Sequence, residues 1–253
     1  MKLLKYDFFY LYKTYKFIIF PAVAIVFAIL SPLTAFYINE LLDMLSVEGG
    51  PVITLPDPTV IDSYAQYISN LVEIFLIVAV FVSVSAFIRE KTKGYFPLII
   101  SKPINRVQYL LSKYIAMSLL ILATLVISGL VFGLYTYIIF GEISFGVVTS
   151  ITLLYMVYVL FILSISMLFS QLFNNYAAAS ILTFVGYIFF NILGGFEKGL
   201  LEYLPGRIIY RITEDIVGIE NTETMLINVG VTLAITFGLL VLSIVRFKKY
   251  DLN

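Results

Sequence analysis

The chain has 253 residues, 61% of them apolar and 13% charged, with 16 basic residues balancing 16 acidic ones, whereas ordinary soluble domains carry roughly 45–50% apolar and about 25% charged residues. Such an excess is incompatible with a water-soluble fold. The lack of cysteine and histidine removes disulfides, thiolate nucleophiles, the usual general base of hydrolases and most transition-metal sites. Carboxylates, Lys, Ser and Tyr are all that remain for chemistry, so an enzyme is disfavoured. No catalytic residue, cofactor, metal or nucleic-acid partner is expected on this chain.

The first segment, 1–16, sorts by helical angle: Lys2, Lys5, Lys13 and Lys16 share one arc, and Leu3, Leu4, Phe8, Leu11 and Tyr15 the other. This suits a helix lying in the headgroup layer or simple flanking lysines, although Phe9 and Asp7 break the pattern. The opening MKLLKYDFFYLYK has no small-residue cleavage site, so no removable signal peptide is expected. Apolar stretches able to cross about 30 Å of hydrocarbon follow at 17–38, 66–88, 110–140, 147–170, 176–193 and 225–245. The predicted fold is all-α: a single polytopic membrane domain of six spans.

Thirteen of the 16 basic residues fall on the side shared by both ends, leaving Lys198, Arg207 and Arg211 opposite. Loops rich in Lys and Arg face the cytoplasm, which puts both termini and the loop between spans two and three inside the cell membrane. The loop 39–65 holds Gly49-Gly50-Pro51 and Pro56-Asp57-Pro58, signals of an irregular, exposed outer segment. The turn 171–175 is short enough to make spans four and five a tight antiparallel hairpin. Glu73 is the only acid inside an otherwise uncharged stretch; counted from residue 66 it lies about two turns from the outer end, where it either snorkels to the interface or faces a pathway.

The inner loop 88–113 is more organised than a solvated linker. Ser101 can cap a helix that holds Pro103 at an early position and runs on into span three, joining a short cytoplasmic helix rigidly to a membrane helix. Together, Glu90, Gly94, Pro103, Arg106 and Lys113 resemble the corresponding loop of ABC-2 type transporter permeases, the membrane subunits of one class of ATP-driven exporters. The tail Arg246-Phe-Lys-Lys-Tyr-Asp-Leu252 is similar to that family's frequent ending, whereas Tyr95 and Pro97 depart from its pattern.

The resemblance implies that 103–113 is a coupling helix seated on a separate ATPase, with Glu90, Gly94, Pro103, Ile104, Arg106, Val107 and Tyr109 as the coupling residues. It also implies a second permease chain, identical or related. The segment 194–224 is amphipathic and broken at Pro205-Gly206; the resemblance implies short re-entrant helices there that gate the outer end, with Gly194, Gly195, Pro205 and Gly206 as hinges. An ordinary outer loop lying on headgroups is the plain alternative.

No G-x-x-x-x-G-K-[ST] run occurs, so ATP and Mg are expected on the partner ATPase. An uncharged interior suits a hydrophobic or amphipathic cargo such as a peptide, toxin or drug. Within the family, Gram-positive exporters of amphipathic peptides, including the phenol-soluble modulin exporters of staphylococci, are similar in size and style. A non-transporting membrane protein or an intramembrane enzyme is the rival reading. It lacks paired carboxylates within the spans, and Ser128-Gly129 reads as a site of close helix packing.

Overall fold

The computed structural model describes residues 2–45, 56–95, 105–197, 199–219 and 222–248. Backbone inside lipid must satisfy its hydrogen bonds within its own segment, so charge-free apolar runs become helices; among the described residues there is no strand. The helices are α1 (Lys2–Lys13), α2 (Lys16–Phe36), α3 (Ile38–Leu45), α4 (Val60–Asn70), α5 (Leu76–Phe87), α6 (Arg89–Thr92), α7 (Arg106–Phe140), α8 (Phe145–Leu172), α9 (Tyr176–Gly194), α10 (Arg207–Val217) and α11 (Thr222–Lys248). A π-helical turn, Leu71–Phe75, joins α4 to α5, and a 3-10 turn, Gly199–Tyr203, precedes α10. Six helical segments are long and apolar enough to cross a membrane: α2, the continuous Val60–Phe87, α7, α8, α9 and α11.

The helix boundaries follow local chemistry. Tyr15 takes a left-handed conformation, φ 57°, at the corner between α1 and α2, a strained state for a bulky residue. The corner lets α1 pack along the start of α7 instead of extending α2. Thr59 and Asp62 form a capping box, with the Thr59 amide donating to Asp62 Oδ2 at 2.8 Å. That cap starts the second membrane helix at Val60, six residues before its apolar run, because a cap needs no hydrophobicity. Gly49-Gly50-Pro51 lie outside the described residues.

The core centres on α8, which packs against α5, α7, α9, α10 and α11 and fully buries Tyr155, Tyr158 and Phe161. Small and hydroxylated residues bring the spans together. Tyr67 donates or accepts with Ser128 Oγ at 2.8 Å, Ser128 donates to the Ala24 carbonyl at 3.1 Å, and Tyr67 stacks on Phe132 with centroids 4.1 Å apart. At Gly129 a Cβ would fall 2.8 Å from Thr152 Oγ1. The pair Ser128-Gly129 is therefore a packing device that ties α7 to α2, α4 and α8.

Candidate functional site

Three places combine polar groups with the predicted site residues. The first lies at the end of the bundle that carries α1, the start of α7 and the end of α11. Glu90, on α6, is buried at 3% exposure. It bonds to Lys113 of α7, which is also buried, and to Arg89 Nη2 at 2.8 Å. The Arg89 guanidinium lies 3.6 Å from the Tyr10 ring centroid and donates to the Tyr6 hydroxyl at 3.1 Å, so α1 closes over it. Asp7 of α1 accepts from Ser112 Oγ at 2.6 Å, and Lys16 donates to Ser85 Oγ at 2.6 Å. Asp7, which looks misplaced on the apolar arc of α1, is thus the residue that ties α1 to α7.

Burial alone would raise the Glu90 carboxyl, but the Lys113 charge and hydrogen bond, together with Arg89, hold it below its ordinary value. For Asp7 burial wins over the Ser112 bond and the Lys113 charge, and its carboxyl stays above the usual range. Lys91, also on α6, donates to the carbonyls of Ser170 and Gln171 at 2.8 and 2.9 Å. It thereby grips the C-terminal end of α8, where carbonyl dipoles favour a cation. Burial and the nearby positive charges of Arg246 and Lys113 push it down to about 8.

The remaining coupling residues occupy distinct places. Gly94 follows α6 at φ +72°, a conformation that ends the helix and favours glycine. Pro103 and Ile104 lie outside the described residues, as does Ser101. The cap of α7 is Asn105, whose side chain accepts from the Val107 amide at 2.9 Å, an Asn preference that local sequence could have revealed. Arg106 donates to the Lys248 carbonyl at 2.8 Å, and Tyr109 is buried against Phe247 with stacked rings 5.8 Å apart. The start of α7 and the end of α11 are joined by these two contacts. Val107 is half-buried.

The second place lies where α9 meets α10. A Cβ on Gly194 would fall 2.3 Å from the Gly206 carbonyl carbon, and one on Gly206 would fall 1.7 Å from the Phe190 carbonyl oxygen. The two glycines thus let two backbones touch. Gly195 faces the Tyr210 hydroxyl, 3.3 Å from where its Cβ would sit, and Pro205 is buried. The buried Arg207 bonds to Glu214 and, at 3.1 Å, to Glu197. Arg211 bonds to Glu202 at 2.8 Å and Glu214 at 3.2 Å. Sequence reading marked these arginines only by their side of the membrane, although the i, i+3 spacing of Arg211 and Glu214 was a local signal.

The third place is Glu73, in the π turn and exposed. The Leu76 amide donates to Leu71 O, the long bond of the π turn. Tyr155 of α8 donates to the same carbonyl at 2.5 Å, and Tyr187 of α9 donates to Val72 O at 3.1 Å. The irregular backbone of the turn is held by side chains from two other helices. Among the described residues no group of three or more His, Cys, Asp or Glu gathers to hold a metal ion.

Residues 29–245, most of the chain, match the family model described as ABC-2 family transporter protein. No curated protein matches the chain.

Proposed function

Because the chain belongs to the ABC-2 family of transporter proteins, as a multi-pass membrane component, we propose that it is the permease subunit of an ATP-driven exporter of hydrophobic or amphipathic molecules. Peptides, including toxins, and drugs are the substrate classes in view, with exporters of amphipathic peptides as the type. ATP and Mg belong to a separate ATPase subunit, and a second permease chain completes the pathway. Both termini face the cytoplasm of the cell membrane, in keeping with the charge asymmetry.

The observation that carries this reading is the buried bridge from Glu90 to Lys113. It welds the end of the second span to α7, while Asp7 and Ser112 add α1 and Lys91 adds the α8–α9 hairpin. A push on the segment before α7 cannot be absorbed by one loose loop; it moves several spans at once. α7 is 35 residues long, about 50 Å at 1.5 Å per residue, so a small tilt at one end becomes a larger displacement at the other. On this reading α10 is a short re-entrant helix at the outer mouth, and the Gly194–Gly206 crossing carries the motion to it.

The test is co-purification of the tagged chain with the products of neighbouring genes, followed by ATP turnover of the complex. An ATPase should come with the chain, and Arg106→Glu should release it. The double variant Glu90→Gln with Lys113→Met, which strands neither charge, should leave assembly intact while removing the response of ATP hydrolysis to cargo. A chain that purifies alone beside every neighbour overturns the reading.

A further inference from the structure

We propose that Glu73 binds a cationic group of the transported molecule within the membrane, so that the cargo is a positively charged amphiphile. The inference rests on the exporter reading above and narrows its substrate class.

Depth is the first ground. The second membrane helix runs continuously from Val60 to Phe87, with Glu73 thirteen residues after the one and fourteen before the other. Its first six residues precede the apolar run, so Glu73 lies seven residues, about 10 Å, inside that run, farther than its short side chain spans. Tyr187, whose hydroxyl meets the carbonyl of the adjacent Val72, lies seven residues, about 10 Å, before the end of α9. An acid at this depth requires a partner or a water-filled cavity.

The second ground is that the position is built. A π turn costs the helix its regular hydrogen bonding and marks functional sites more often than chance. Here two tyrosines from separate helices donate to the carbonyls of that turn, Tyr155 to Leu71 and Tyr187 to Val72. Three helices therefore fix the backbone that presents Glu73.

The third ground is the charge inventory. Glu73 makes no ion pair among the described residues, yet its side chain is exposed. No Lys or Arg occurs in residues 17–88, 114–197 or 212–245. The spans of a second identical copy therefore bring no cation, and its Arg207 and Arg211 are already held by glutamates of their own chain; if two copies face each other at Glu73, the facing group is another carboxylate. A hard metal ion needs about six oxygen ligands, which one carboxylate does not supply when the exposed residues of the same helix are apolar, Ile74 next to it and Phe81 two turns on, both 38% exposed. An organic cation with an apolar body fits: its charge meets Glu73, its body meets Ile74 and Phe81, and the Tyr187 ring is an acceptable neighbour for a cation.

The experiment uses the permease–ATPase complex in neutral-lipid nanodiscs and measures saturable binding of tetraphenylphosphonium and tetraphenylborate, ions of similar size and opposite charge, against empty discs. The wild-type complex should bind the cation saturably and not the anion. Glu73→Gln should weaken the cation about tenfold or more, the size of one charge-assisted contact, while Glu73→Asp retains most of the affinity. Equal binding of both ions by the wild type overturns the proposal without any variant, as does unchanged cation binding in a folded Glu73→Gln complex. A related but non-identical second permease whose basic residue pairs with Glu73 overturns it too, and would show as loss of complex assembly in Glu73→Gln. Failure to recover any ATPase sinks the exporter reading instead, whereas a complex that hydrolyses ATP but ignores the sign of the probe sinks only the cation reading.

Discussion

A cluster of ion pairs lies beside a short amphipathic helix at each end of the same bundle, but the two sets leave their carboxylates in different surroundings. Where α1 meets α7, the side chains of Glu90 and Lys113 are 4% and 6% exposed. Where α10 meets the bundle, the arginines are buried, while Glu214, Glu202 and Glu197 are 28%, 29% and 70% exposed. A carboxylate that keeps its water gains little from a partner and loses little without one. One stripped of water depends wholly on its partner, and removing either strands the other. The first arrangement suits a rigid joint between spans, and the second suits an element that can loosen.

The largest effect expected from this contrast is at the buried joint. Glu90→Ala should cost about 3–5 kcal/mol by stranding Lys113, and the double variant with Lys113→Met should recover most of that; thermal unfolding in detergent measures both. If the double variant is no better than the single one, the joint is not an isolated pair. Next comes the glycine crossing that anchors α10. Gly206→Ala must move the Phe190 backbone and should cost about 1–3 kcal/mol, whereas Gly195→Ala, whose new Cβ meets Tyr210 at 3.3 Å, should cost under about 1.5 kcal/mol.

A smaller, pH-dependent difference is expected at Lys91. Its folded-state value is pushed down to about 8 from the ordinary 10.5, so between these values the unfolded chain holds a proton that the folded chain has released. Stability from this group is therefore complete above pH 10.5 and is lost as pH falls through about 8. The melting temperature of the wild type should rise relative to that of Lys91→Met as pH goes from 8 to 10, and parallel curves would contradict this. The smallest effect is expected at Glu197, the most exposed of these carboxylates: Glu197→Gln should change stability by no more than about 0.5 kcal/mol. A large loss there would erase the contrast between the two ends.

Much of the architecture was readable along the chain. The six apolar runs announce six membrane-length helices, and the short turn after Gln171 announces the α8–α9 hairpin. Pro205-Gly206 separates the 3-10 turn from α10 as expected. The site was less legible. Glu90, Arg106 and Tyr109 were marked as a group, yet Glu90 and Tyr109 are buried inside the chain and hold α6, α7 and α11 together. Asp7 read as a flaw in an amphipathic pattern because its partner, Ser112, is 105 residues away. The π turn that holds Glu73 left no mark in the sequence, because the tyrosines that bond its carbonyls, Tyr155 and Tyr187, lie more than 80 residues away.

Sequence alone determined what depends on neighbours along the chain: the solvent this protein requires, the number of membrane-length helices, the ends of several of them, and the sorting of charge to one side. These follow from apolar length, caps and local charge, each set within a few residues. Only the tertiary structure decided which polar groups meet: Asp7 with Ser112, Glu90 with Lys113, Gly194 with Gly206, and the π turn with Tyr155 and Tyr187. Those contacts join helices far apart in sequence, and where water is excluded a buried polar group needs a partner that only the packed bundle can bring to it.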